Sequence, residues 1–114
     1  MDNYCISNRK IIFEAGSVVE FDFSIKQTLI FNHHIIVLLD IPEDTCYNQN
    51  VFAVNFKGKT VWQIQGSDNL DRIGICPFTS ISISNHELIC FNLCGFRLTV
   101  NPATGHVTSQ VFNR

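Results

Sequence analysis

In the strand-like run Ser17 to Ile25, SVVEFDFSI, apolar and polar side chains alternate: Val19, Phe21, Phe23 and Ile25 fall on one side, Glu20, Asp22 and Ser24 on the other. That two-residue period is that of a half-solvated β-strand. Lys10 to Glu14 precedes this run across Ala15-Gly16, so the two runs form a hairpin. Thr28 to Phe31 and Ile35 to Ile41 flank Asn32-His33-His34 and form a second one; the later arm is apolar on both faces, which places it centrally in a sheet. In the stretch Phe52 to Ile64, FAVNFKGKTVWQI, two short strands meet at a Lys57-Gly58 turn, with the only tryptophan near the end. Ile81 and Ile83 then alternate with serines in Phe78 to Ser84, followed by Leu88 to Leu93, Phe96 to Asn101 and His106 to Phe112. No segment sustains a 3.6-residue period, and β-branched and aromatic residues dominate. The pattern predicts an all-β fold of about ten short antiparallel strands in a meander of hairpins.

Two parts of the chain echo each other. Asn32-His33-His34-Ile35-Ile36 aligns with Asn85-His86-Glu87-Leu88-Ile89 at an offset of 53, and Val54-Asn55 with Val100-Asn101 at an offset of 46. The difference of seven is taken up by the Pro, Asp and Asn-containing loop from Pro42 to Asn50. The single domain, residues 1–114, therefore reads as an N-terminal hairpin followed by two four-stranded repeats, about 27–64 and 78–112, forming a sandwich or an open barrel. Ala53-Val54-Asn55, Gly58-Lys59 and Trp62, with Asn101-Pro102-Ala103-Thr104-Gly105 as the second copy, resemble the blade-end signature of quinoprotein-type β-propeller repeats, in which an Ala-x-Asp, a Gly-Lys turn and a Trp recur. Here Asn replaces Asp, the first turn is one residue shorter, and Thr108 or Ser109 stands where the second Trp would be. The resemblance implies that these residues brace one blade against the next; it implies no quinone, and no cofactor is expected. Two blades cannot close a ring, so the sheets would complete themselves as a sandwich or by pairing with another copy. The whole is also similar to small bacterial single-domain proteins, a resemblance that brings no activity with it.

Composition narrows the functional classes. Of the 114 residues 46% are hydrophobic and 16% charged, so a packed core is expected and disorder is not. A net charge of −2, with the eight Lys and Arg scattered, provides no basic stripe for a phosphate backbone, and nucleic acid is not an expected partner. The longest apolar run, Ile35 to Leu39, is too short to span a membrane. The opening MDNYCISNRK is polar and acidic where a secretory signal is basic and apolar, and five cysteines without zinc-type pairing are expected to be reduced thiols, both pointing to the cytoplasm.

Candidate chemistry is sparse. His33 and His86 occupy equivalent turns, where a carboxylate such as Glu87 would complete a metal site across a pseudo-twofold axis, but Asn-His pairs are ordinary exposed turn chemistry and no metal is expected. Cys76, beside Pro77, is the most plausible nucleophilic thiol; Cys90 aligns with Val37 and reads as core, and Cys94 precedes Gly95 in a turn. Trp62 is placed between sheets in preference to stacking on a ligand. The acidic residues gather in the two irregular connections, Asp40, Glu43 and Asp44 with Tyr47 in one, and Asp68, Asp71 and Arg72 in the other, Gln65 to Ile75. Their spacing matches no calcium loop, and loops of such length are the sites where function concentrates. With catalytic constellations missing, the expectation is a non-catalytic domain that binds another protein through those loops or a sheet edge, self-associates, and serves as an inhibitor or immunity-type protein. A small enzyme using a cysteine or histidine between the repeats, and a small-ligand module with a Phe- and Trp-walled pocket, are the alternatives.

Overall fold

The computed structural model describes residues 3–65 and 74–112. Eleven strands and no helix are found among them, in chain order β1 (Tyr4–Ser7), β2 (Lys10–Phe13), β3 (Val18–Glu20), β4 (Ile25–Phe31), β5 (His34–Leu39), β6 (Val51–Val54), β7 (Thr60–Gln63), β8 (Phe78–Ser84), β9 (Glu87–Asn92), β10 (Phe96–Val100) and β11 (Val107–Phe112). Every pairing is antiparallel and joins consecutive strands, giving a first sheet β1-β2-β3, a second β4-β5-β6-β7 and a third β8-β9-β10-β11. The meander and its two four-stranded units are thus as the hydrophobic pattern predicts.

The sheets stack; they do not close into a barrel. One apolar cluster joins Ile11, Phe13, Val19 and Phe21 of the N-terminal part to Ile35, Val37, Leu39 and Val54 of the second sheet. The other joins Ile36, Leu38, Ala53, Trp62 and Ile64 to Phe78, Ile81, Leu88, Cys90, Leu98 and Val100 of the third. Alternate residues of β5 belong to different clusters, so the second sheet is the middle layer, and all five residues from Ile35 to Leu39 are buried. Its central placement follows from being apolar on both faces.

Turn chemistry fixes the register. Asn32 and His33 (φ 54° and 62°) and Asn85 and His86 (φ 52° and 63°) both hold positive φ, the geometry of a two-residue type I′ hairpin in which Asn is readily accommodated. The next turns repeat as well. The N–H of Gly58 bonds the Asn55 carbonyl and that of Asn55 the Lys59 carbonyl; the same pair of bonds links Gly105, Asn101 and His106 in the third sheet, and Gly16, Phe13 and Ser17 in the first. The first sheet is therefore a third, shortened unit, with β1, β2 and β3 in the places of β5, β6 and β7 and no counterpart of β4.

Two boundaries depart from the sequence reading. The first sheet has three strands where a hairpin is expected, because β1, Tyr-Cys-Ile-Ser, lies in the polar start and carries no alternation long enough to mark it. The strand expected over Ser17 to Ile25 ends at Glu20; Phe21 to Ser24 leaves the ladder, with the Phe21 N–H bonded to the Arg9 carbonyl and that of Ile25 to Asn8. Phe21, Phe23 and Ile25 still pack on the side the alternation assigns them.

The thiols also differ from expectation. Cys76 and Cys94 form a disulfide, with Cα atoms 5.7 Å apart, tying the approach to β8 to the β9–β10 turn. Their pairing overturns the expectation of five reduced cysteines; Cys5, Cys46 and Cys90 are free. No spacing rule marks the pair, because its two positions, at a sequence separation of 18, are brought together only by the third sheet.

Candidate functional site

Beyond Leu39 the chain leaves the middle sheet. The Asp40 N–H bonds the Ser24 carbonyl, Pro42 has no N–H to extend a ladder, and Asp44 turns the backbone at φ 66° before Asn50 rejoins Leu39, whose N–H bonds the Asn50 carbonyl. This excursion leans against the segment entering the third sheet, and between them lies a half-open cleft of about 480 Å³. Leu39 and Phe78 form its floor; Ile41 and Pro42 stand on one side, Ile75, Pro77 and Leu93 on the other. Asp40, Glu43 and Asp44 edge it, with Lys26 as the cation among the lining residues. All four charged side chains are exposed.

Side-chain amides hold the two walls together. Asn50, fully buried, donates from Nδ2 to the carbonyls of Leu39 and Phe78 and accepts the Phe78 N–H at Oδ1 (2.9, 2.9 and 2.8 Å). Asn48 donates to the Gly74 carbonyl at 2.6 Å and accepts the Cys76 N–H at 2.7 Å. Gln27 does the same for both backbone groups of Ile81, at 2.8 and 3.2 Å. Each amide acts like one residue of a strand toward the edge of the third sheet, satisfying backbone groups that burial would otherwise orphan. The disulfide lies in the same wall, since Ile75, Pro77 and Leu93 are the neighbours of Cys76 and Cys94.

The predicted site residues separate into three groups. Asp40, Glu43 and Asp44 come together on the cleft. Tyr47 does not join them: its ring meets Phe23 edge-on at 5.0 Å between centroids, its hydroxyl accepts a bond from Gln63 Nε2, and its pKa is raised by burial and then by the charge of Asp22, against the opposing Gln63 bond. Asp68, Asp71 and Arg72 lie outside the described residues. Asn48, Asn50, Gln27 and the apolar floor were not singled out from the sequence; the alternating Asn48-Gln49-Asn50 is the signal that reads, afterwards, as a strand replaced by side chains.

The candidate nucleophile, Cys76, is corrected, whereas Cys90 is core as expected. Cys76 is buried and its sulfur is bonded to Cys94, so it has no thiolate to attack with. Cys90 is buried, and desolvation pushes its thiol up to about 12, far from the thiolate form. Trp62 is buried between the second and third sheets with its indole N–H on the Pro102 carbonyl at 2.8 Å, away from the cleft lining, so no tryptophan walls this cleft. Among the described residues no three His, Cys, Asp or Glu side chains converge as metal ligands would. The rim carboxylates are spread along an edge, where they set a negative field without building a point site.

A family model described as a domain of unknown function (DUF7957) matches residues 1–112. No curated protein matches the chain.

Proposed function

Because the chain belongs to the family of domains of unknown function DUF7957, which brings no activity with it, we propose from its own residues that it is a non-catalytic protein-recognition module whose binding site is the cleft between the second and third sheets. The observation that carries this reading is the composition of that cleft: an apolar floor and walls under a rim of three carboxylates and one lysine. Such a site suits a partner segment that buries one or two apolar side chains and carries Lys or Arg beside them. The apolar anchors supply most of the affinity, and the exposed carboxylates act mainly on selection and approach. Rigid walls help, because the amide clamps and the disulfide hold them before any partner arrives. The packing of Trp62 of the second sheet against the Pro102–Gly105 turn of the third supports reading the units as blade-like. An inhibitor or immunity-type protein that covers a basic partner surface is the use that an acidic domain of net charge −2 fits.

Selection from a displayed random-peptide library tests this. Peptides enriched on the protein are expected to be basic with an apolar anchor and to lose most of their binding to the triple variant Asp40→Asn, Glu43→Gln, Asp44→Asn. Enrichment without a basic bias, bound equally by that variant, removes the reading.

One observation favours a second reading: a volume of about 480 Å³ lies within the range of small-molecule sites. A metabolite panel in a thermal-shift assay separates the two, since a ligand at about 100 times its Kd adds roughly 2.7 kcal/mol.

A further inference from the structure

Six strands lie at sheet edges: β1, β3, β4, β7, β8 and β11. An edge exposes unpaired N–H and C=O groups to any extended chain, and proteins blunt it with bulges, charges, proline or very short strands. β4, β7, β8 and β11 each carry one residue more than their neighbour opposite, respectively Lys26, Val61, Thr79 and Thr108, a bulge in the edge strand itself. β3 is three residues long and ends in Glu20. β1, four residues long, has no bulge, charge or proline: Tyr4-Cys5-Ile6-Ser7 is uncharged, lacks proline, and pairs with β2 in unbroken register.

Its position in the repeat sharpens the point. β1 stands where β5 and β9 stand, and both of those are paired on two sides, by β4 and β8 on the side that β1, among the described residues, leaves open. The Glu14 N–H bonds the Asn3 carbonyl at 2.9 Å, so Asn3–Glu14 is a hydrogen-bonded pair of the β1–β2 ladder. Alternation along an antiparallel ladder then turns the backbone groups of Cys5 and Ser7 toward β2 and those of Tyr4 and Ile6 toward the open edge. Cys5, Ile6 and Ser7 are exposed.

We propose that a second copy of this chain covers this edge, its β1 running antiparallel to the first across a twofold axis, so that the two first sheets join as one of six strands. The same unguarded edge exists on both copies, and an isologous contact removes both at once, which a strand from another protein does not. Charge agrees with the antiparallel sense: Glu14 flanks the Asn3 end of β1 and Lys10 the Ser7 end, Arg9 being held by Glu20, so the twofold axis brings ends of unlike sign side by side at both ends of the seam. This surface is separate from the cleft and stands independently of its function.

Sedimentation equilibrium combined with amide hydrogen exchange on the full chain tests the proposal. The protein is expected to dimerise, with the Tyr4 and Ile6 amides slowing by roughly tenfold or more between dilute and concentrated samples. Ile6→Pro removes an outward N–H that β2 does not use, and is expected to be monomeric with the native circular dichroism spectrum. A monomer at every concentration, or a dimer in which the Tyr4 and Ile6 amides exchange as in the monomer, overturns it. Should Ile6→Pro fail to fold, the wild-type exchange pattern alone decides.

Discussion

Gly105 lies against the face of Trp62 so closely that a Cβ on it would fall 2.7 Å from Cε3 and 2.8 Å from Cδ2 of the indole. The glycine belongs to the second copy of the turn and the tryptophan to the first repeat, and the indole N–H closes the contact on Pro102 of that same turn. Gly105 also holds φ +80°, which side chains disfavour, so two constraints select glycine there. Trp62→Ala is expected to cost about 3–5 kcal/mol in urea unfolding. Gly105→Ala, by overpacking and backbone strain, is expected to cost about 2–4 kcal/mol. Because removing the indole removes the clash, the double variant is expected to lose less than the sum by about 1 kcal/mol or more. Simple additivity would mean that the contact does not brace the sheets.

Asn50 is expected to matter as much as any apolar core residue. Asn50→Leu matches its size but leaves the Leu39 carbonyl and both backbone groups of Phe78 without their partner. A loss of about 2–4 kcal/mol follows, read from the denaturation midpoint. A neutral result would mean that water enters the wall, and that the cleft is less rigid than described.

Cys90 gives the fold a pH dependence whose sign can be worked out. Burial holds its thiol at about 12 in the folded state, against an ordinary value near 9 when unfolded. Between those values the unfolded chain has released the proton and the folded one has kept it. Stability from this group is therefore complete below about pH 9 and falls as pH rises toward 12, by about 1.4 kcal/mol per pH unit. Cys90→Val is expected to show a shallower decline over that window. Parallel curves for the two proteins would exclude the thiol as the cause.

The Cys76–Cys94 bond closes a loop with a sequence separation of 18, so reduction is expected to lower stability by about 3 kcal/mol. Alkylation of the denatured, unreduced protein should modify three cysteines, Cys5, Cys46 and Cys90. Modification of all five would restore the reduced-thiol expectation and with it the chemical argument for the cytoplasm.

Much of this architecture is written locally, and that part was legible. Alternation marks the strands from Lys10 onward, and Asn-His at both hairpins announces a backbone that needs positive φ. The echo of Val54-Asn55 in Val100-Asn101 announces repeated units. What escaped reading depends on contacts distant in sequence. β1 is four residues without a pattern, Asn48 and Asn50 look like loop polarity until β8 is seen to pair with them, and Cys76 finds Cys94 only through the folded third sheet. The acidic loop from Asp40 to Asp44 was recognisable as a candidate site from its charge and irregularity, whereas the apolar floor beneath it, Leu39 and Phe78, comes from two different sheets.

Mapping by NMR decides whether a partner binds in that cleft, as proposed above. A basic peptide with an apolar anchor, taken from the selection described above, is titrated into the isotopically labelled protein. The amides expected to shift cluster at Lys26, Leu39 to Ile41, Glu43, Asp44, Ile75, Phe78, Thr79 and Leu93. Shifts concentrated elsewhere, for instance along β1 or on the outer face of β10 and β11, would contradict it.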